Sequence, residues 1–122
     1  MIRTQGLTHI HLAVRNLERS LDFYRGVFGM EERFRDGPQM VFLNTPGSRD
    51  LITLNEDPQA MDNAGVSGGI AHFGFRLEDV GDIDVAIAQV EACGGRLVRR
   101  GEHAPGHPYA YVSDPDGYVI EL

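Results

Sequence analysis

A chain of 122 residues is long enough to bury a hydrophobic core without disulfide or metal staples, and its size is that of one compact unit. Eighteen acidic against 11 basic residues leave a formal charge of -7, a field that repels phosphate backbones and anionic membrane surfaces and so excludes nucleic acid and membranes as expected partners. The lone Cys93 cannot close an internal disulfide, no apolar run approaches the roughly 20 residues of a membrane span, and the opening Met-Ile-Arg-Thr-Gln-Gly holds no signal-peptide core, so a cytoplasmic protein is expected.

In chain order, residues 8 to 14, Thr-His-Ile-His-Leu-Ala-Val, alternate in the manner of a strand, with Thr8, Ile10, Leu12 and Val14 on one face and His9, His11 and Ala13 on the other. Asn16 is placed to cap a helix whose stripe is Leu17, Leu21, Tyr24 and Phe28, and Gly29 to end it. Strands are expected near Glu31 to Arg35, Met40 to Asn44 and Leu51 to Asn55, divided by Asp36-Gly37-Pro38 and Pro46-Gly47-Ser48. Residues 57–69, rich in Asp, Asn, Gly and Ser, read as a connector.

The order then repeats. Ile70 to Leu77 reads as a strand, and Ile83, Ala86, Ile87 and Val90 as a helical stripe stopped by Cys93-Gly94-Gly95. Strands follow at Arg96 to Arg100, Tyr109 to Ser113 and, after Asp114-Pro115-Asp116-Gly117, Tyr118 to Leu122. The expected fold is α+β: two βαβββ modules, about 5–56 and about 70–122 with a linker of about 57–69, forming a curved mixed-sheet cleft within a single domain. Superposing the halves sets His9 over His72 and Thr53 over Glu121.

Period-two alternation turns His9 and Glu121 away from their apolar neighbours, and a buried acid needs a partner or a metal. If the modules curl into one cleft, His9, His72 and Glu121 form a set of two imidazoles and one carboxylate. That set leaves coordination positions open for a substrate; Fe(II) is the favoured ion, with Mn, Ni, Co or Zn as alternatives. Taken singly, each histidine reads as an ordinary strand residue, and Glu121 as a solvated one if its face looks to water. His11 shares the His9 face and reads equally as a supporting group, a proton carrier or an exposed neighbour. His103 and His107, among Gly and Pro, read as solvated loop residues, and alternation puts Arg99 and Arg100 on opposite faces.

The segments Leu7-Thr8-His9-Ile10-His11-Leu12-Ala13-Val14, Ser20-Leu21-Asp22-Phe23-Tyr24 with Phe28-Gly29-Met30, Ile70-Ala71-His72-Phe73, and Asp114-Pro115-Asp116-Gly117-Tyr118-Val119-Ile120-Glu121-Leu122 resemble the vicinal oxygen chelate superfamily, which holds glyoxalases, thiol transferases, extradiol dioxygenases, epimerases and bleomycin-binding proteins. The resemblance implies one divalent metal at His9, His72 and Glu121. It also implies a fourth ligand in glyoxalases and epimerases where this chain has Thr53, so it leans toward the three-ligand members, most concretely an extradiol-dioxygenase-like oxidation of a small substrate chelated through vicinal oxygens. His11 and Tyr111 are the candidate catalytic residues. A glyoxalase-like lyase, isomerase or thiol transferase using the metal as Lewis acid is the alternative; a non-catalytic drug- or metabolite-binding protein, with a cleft of Phe42, Phe73, Phe75 and Tyr109, is the other. Members of this family pair their modules within a chain or across a dimer, and a homodimer is expected.

Overall fold

The computed structural model describes residues 1–66 and 68–122, the side chain of Val80 aside, so position 67 of the expected linker lies outside the described residues. Its elements run β1 (Ile10–Ala13), α1 (Leu17–Phe28), β2 (Glu31–Arg35), β3 (Met40–Asn44), β4 (Ile52–Asn55), β5 (Phe73–Gly74), α2 (Ile83–Ala92), β6 (Arg96–Ala104), β7 (His107–Ser113) and β8 (Val119–Glu121), with short 3-10 turns at Met61–Asn63 and Val80–Asp82. The sheets have orders β1-β4-β3-β2 and β5-β8-β7-β6, each with its first pair parallel and the rest antiparallel. The expected α+β fold of two βαβββ modules is the fold observed.

Local chemistry sets the helix ends. The Asn16 side chain accepts the Arg19 N–H at 2.8 Å, and Gly29, at a φ of 62°, takes the left-handed C-cap that a side chain would strain. Leu17, Leu21, Phe23 and Tyr24 of α1 and Ile83, Ile87 and Val90 of α2 pack with Leu12, Val14, Val41, Leu43, Ile52, Leu54, Val112 and Ile120 into one cluster shared by both modules. Against this cluster Phe28 and Phe75 stack at 3.9 Å, one half-buried ring from each module.

A buried polar tie crosses the same boundary. The Tyr24 hydroxyl donates to Asp114 Oδ2 at 2.9 Å, while Asp114 Oδ1 accepts the N–H groups of Asp116, Gly117 and Tyr118. Asp116 in turn receives Arg19 and Ser20 from α1. The connector is not a free strap either: Ala64 is buried, and a Cβ on Gly65 would strike the Asp116 carbonyl oxygen. Among the described residues no helix is long and apolar enough to cross a membrane.

Burial raises the Asp114 carboxyl above its ordinary 3.8, with the Tyr24 and backbone hydrogen bonds opposing. Between 3.8 and the raised value the folded chain holds more protons than the unfolded one, so this group's contribution to stability is complete at low pH and declines as pH rises through that window. In urea melts across mildly acidic pH, the stability of the native chain minus that of Asp114→Asn is expected to fall with rising pH. A difference independent of pH would refute the assignment.

Two differences from the sequence-based expectation affect the site. The strand expected over Ile70 to Leu77 ladders only at Phe73–Gly74, because it pairs with β8, itself three residues long. The stretch expected as a loop around His103 and His107 is instead the end of a long hairpin, with Ala104 opposite His107 across Pro105-Gly106.

Candidate metal centre

Ladder register assembles one row of side chains across the open face of each sheet. In the first it runs His11, Thr53, Phe42, Phe34, and in the second Gly74, Glu121, Tyr111, Arg99. The rows correspond position by position, so Thr53 and Glu121 are true equivalents, as the sequence repeat implied.

Glu121 lies between buried Ile120 and Leu122 and turns its carboxylate to the open face. His103 Nε2 donates to Oε1, and His72 Nε2 lies against Oε2, both at 3.0 Å. An aromatic frame holds these rings: His72 meets Tyr111 edge-on at 4.9 Å, His103 stacks on Tyr109 at 4.2 Å, and Tyr109 meets Tyr111 at 5.4 Å. His103 is the group that sequence reasoning missed. The available signal was Pro105-Gly106, a turn dipeptide joining two strand-like runs, which would have carried the alternation of Arg99, Gly101 and His103 up to it.

Of the other expected residues, Tyr111 lies beside Glu121 in the ladder, and His11 shares a cavity of about 280 Å3 with His72, Gly65, Val66, Ile70 and Tyr118. His9 precedes β1, is exposed, and contacts Thr8 Oγ1 through Nδ1 at 2.8 Å; it lines a separate hollow with Asp50, Phe73 and Gly74. Within one chain, therefore, His72 and Glu121 come together and His9 stands apart. His72 and His103 both reach Glu121, but among the described residues no three His, Cys, Asp or Glu side chains of a single chain are placed to hold a metal ion together.

The donors present nevertheless suit a divalent cation. His72 Nε2 and Glu121 Oε2 lie 3.0 Å apart, an imidazole nitrogen and a carboxylate oxygen side by side, which are donor types that a divalent cation takes. An Nδ1–H on His9 that donates to Thr8 leaves its Nε2 lone pair for a metal, the usual outer-shell arrangement of a ligating histidine. The position equivalent to Glu121 in the first sheet offers no carboxylate: Thr53 is fully buried, and its hydroxyl has no hydrogen-bond partner among the described residues. Were His9 brought to His72 and Glu121, the donors would be two imidazoles and one carboxylate, with a neutral hydroxyl at the position equivalent to Glu121 in the first sheet.

Known proteins resemble the chain along nearly its whole length. It is 35% identical over 120 residues to a catechol-2,3-dioxygenase of Bacillus subtilis, covering 94% of this chain but only 41% of that protein, and so spans about two fifths of that relative's length. It is 36% identical over 127 residues to a lactoylglutathione lyase of Neisseria meningitidis, covering 95% of this chain and 88% of that one. The fold matches a variant of the fosfomycin resistance protein FosX of Listeria monocytogenes, a complex with Mn(II) and dihydroxypropylphosphonic acid, at a TM-score of 0.74 and 22% identity over 98% of this chain and 90% of that one. A family model covers residues 6–122, and the chain belongs to the Glyoxalase/Bleomycin resistance protein/Dioxygenase superfamily.

Proposed function

We propose that this chain is a metal-dependent enzyme in which His9, His72 and Glu121 hold one divalent cation, Fe(II) by preference. It would act, as an extradiol dioxygenase does, on a small substrate that offers two vicinal oxygens. The observation that carries the reading is the 3.0 Å approach of His72 to Glu121 on an open sheet face, with no fourth carboxylate at Thr53. Because His9 stands apart within one chain, the set is completed across a two-fold homodimer, the first sheet of one protomer facing the second sheet of its partner. A cation held there supplies Lewis acidity and open positions for two substrate oxygens and, as Fe(II), for dioxygen.

The chain's own groups do the rest. Tyr111, edge-on to His72 and next to Glu121, is placed to hold a substrate oxygen or pass it a proton, and His11 offers the same from the cavity it shares with His72. His103 braces Glu121 Oε1 and so fixes the direction of Oε2.

A second reading keeps the metal and makes the chemistry a lyase or isomerase reaction without oxygen. The full-length similarity to the Neisseria lactoylglutathione lyase favours it. An oxygen electrode separates the two: Fe(II)-reconstituted protein, prepared without a histidine tag, is expected to consume one dioxygen per catechol-type substrate. Turnover of a 2-oxoaldehyde–thiol adduct with no oxygen uptake would replace the first reading by the second. Near-zero metal by elemental analysis, even after reconstitution, would defeat both in favour of a non-catalytic binding protein.

A further inference from the structure

The two sheets share a defect that has a chemical consequence in only one of them. Ladder register slips between Glu32 and Phe34 in β2 and between Leu97 and Arg99 in β6, so Arg33 and Val98 are extra residues at equivalent places. A bulge of this kind moves the following side chain to the face it would otherwise miss. In the first sheet it lays Phe34 on Phe42, with rings 4.3 Å apart. In the second it sets Arg99 opposite Tyr111, with the guanidinium carbon 5.0 Å from the Tyr111 ring and 5.9 Å from Tyr109, while Arg100 turns to the other face and pairs with Asp84 of α2.

Among the described residues Arg99 has no acidic partner, unlike Arg100 on the opposite face; the third cation of β6, Arg96, donates to Ser113. Arg99 lines an open hollow of about 430 Å3 with Ala71, His72, Val98, Tyr111 and Val119. That hollow holds one fixed cation, one aromatic wall and three aliphatic side chains, directly beside a proposed metal ligand. A guanidinium presents a planar fork that grips a carboxylate through two N–H groups, and stacking over tyrosine rings orients the fork. The single uncompensated charge suits a monoanion, and an overall charge of -7 disfavours a dianionic phosphate.

We infer that Arg99, aimed by the Val98 bulge and steadied by Tyr109 and Tyr111, is the anion-recognition residue of the site, and that the substrate is a small planar monocarboxylate. Its carboxylate lies on Arg99 while the rest of the molecule reaches toward His72. The inference rests on the proposed function for what happens at the other end of the substrate, and on geometry alone for the carboxylate.

The test is titration of the purified full chain with benzoate and with the uncharged benzamide, read by NMR shifts of the backbone and of the arginine side-chain N–H groups. Benzoate is expected to bind measurably tighter than benzamide and to shift the Arg99 signal. Arg99→Gln should weaken benzoate about tenfold or more while leaving benzamide unchanged, and Arg99→Lys should restore part of the loss. Arg100→Gln should have no effect. Equal benzoate affinity in Arg99→Gln and the native chain, or no preference for benzoate over benzamide, would overturn the inference. A separate arm isolates the metal reading: with Mn(II) added, 3,4-dihydroxybenzoate should gain affinity over benzoate, and Glu121→Gln should abolish that gain. Loss of this arm with Arg99 dependence intact would sink the metal proposal and leave the carboxylate subsite standing.

Discussion

Glu121→Gln is expected to lower the affinity for a divalent cation by at least about a hundredfold and to abolish turnover. Outer-shell partners of metal ligands cost about 10- to 100-fold when removed, and Glu121 would be the only anionic ligand of the proposed set. The substitution keeps shape and volume, so Ile120 and Leu122 retain their packing in the core, but the carboxamide supplies one neutral oxygen where two charged ones served His72 and His103. His103→Ala, which removes only the brace on Oε1, should fall within the 10- to 100-fold range and therefore between Glu121→Gln and the native protein. Calorimetric Mn(II) titration ranks the three. Equal affinities for the native chain and Glu121→Gln would remove Glu121 from the set.

The same variant tests how the site is built. If His9 of one protomer meets His72 and Glu121 of the other, His9→Ala and Glu121→Gln chains, each inactive alone, regain about a quarter of native activity when refolded together, since half the dimers are mixed and each mixed dimer has one intact site of two. Sites made within one chain would stay dead in the mixture.

Much of this arrangement was legible in residue patterns. The Asn16 and Gly29 caps, the repeat that lays Thr53 over Glu121, and the alternation through Val119, Ile120 and Glu121 all follow from periods of 3.6 and 2 that local sterics impose. What escaped depends on non-local fit. The alternation rule assumes one residue per step, so the extra Arg33 and Val98 cannot be seen without their partner strands; Arg99 and Arg100 keep opposite faces, but which face received Arg99 was set by the bulge. From the sequence His103 reads as solvated because it sits among Gly and Pro, whereas Pro105-Gly106 is the tip of a hairpin that returns His103 to Glu121. The isolation of His9 is of another kind: in the proposed dimer it would serve the neighbouring protomer, and such a residue has no reason to be covered by its own chain.

Gly95→Ala is expected to damage the hydrophobic core heavily for the addition of one methyl group. A methyl there would strike the Ser113 carbonyl oxygen and lie 2.7 Å from Val90 Cγ1 and 2.8 Å from Phe23 Cε2, a backbone atom on one side and two buried side chains on the others. Val90 and Phe23 have no exposed surface into which to withdraw. Overpacking of a tight core typically costs about 1–3 kcal/mol, and with backbone among the obstacles the upper end, about 3 kcal/mol, is expected. Against a domain stability of about 5–15 kcal/mol, that lowers the melting temperature by roughly 10 °C. Gly94→Ala is the internal control: its φ of 91° strains a side chain, but nothing lies within 4 Å, so about 1 kcal/mol is expected. Thermal melts by circular dichroism rank the pair, and a Gly95→Ala melt within a degree of native would refute the packing argument. The position also bears on the proposed carboxylate subsite. The Gly95 N–H closes α2 on the Val90 carbonyl at 2.9 Å, and β6 begins at the next residue, with Arg96 opposite Ser113, only three positions before the bulge delivers Arg99 to the open face. A clash that displaces Ser113 therefore shifts the ladder that sets Arg99 against Tyr111. In Gly95→Ala chains that still fold, benzoate binding should weaken, while Gly94→Ala chains bind as the native protein does.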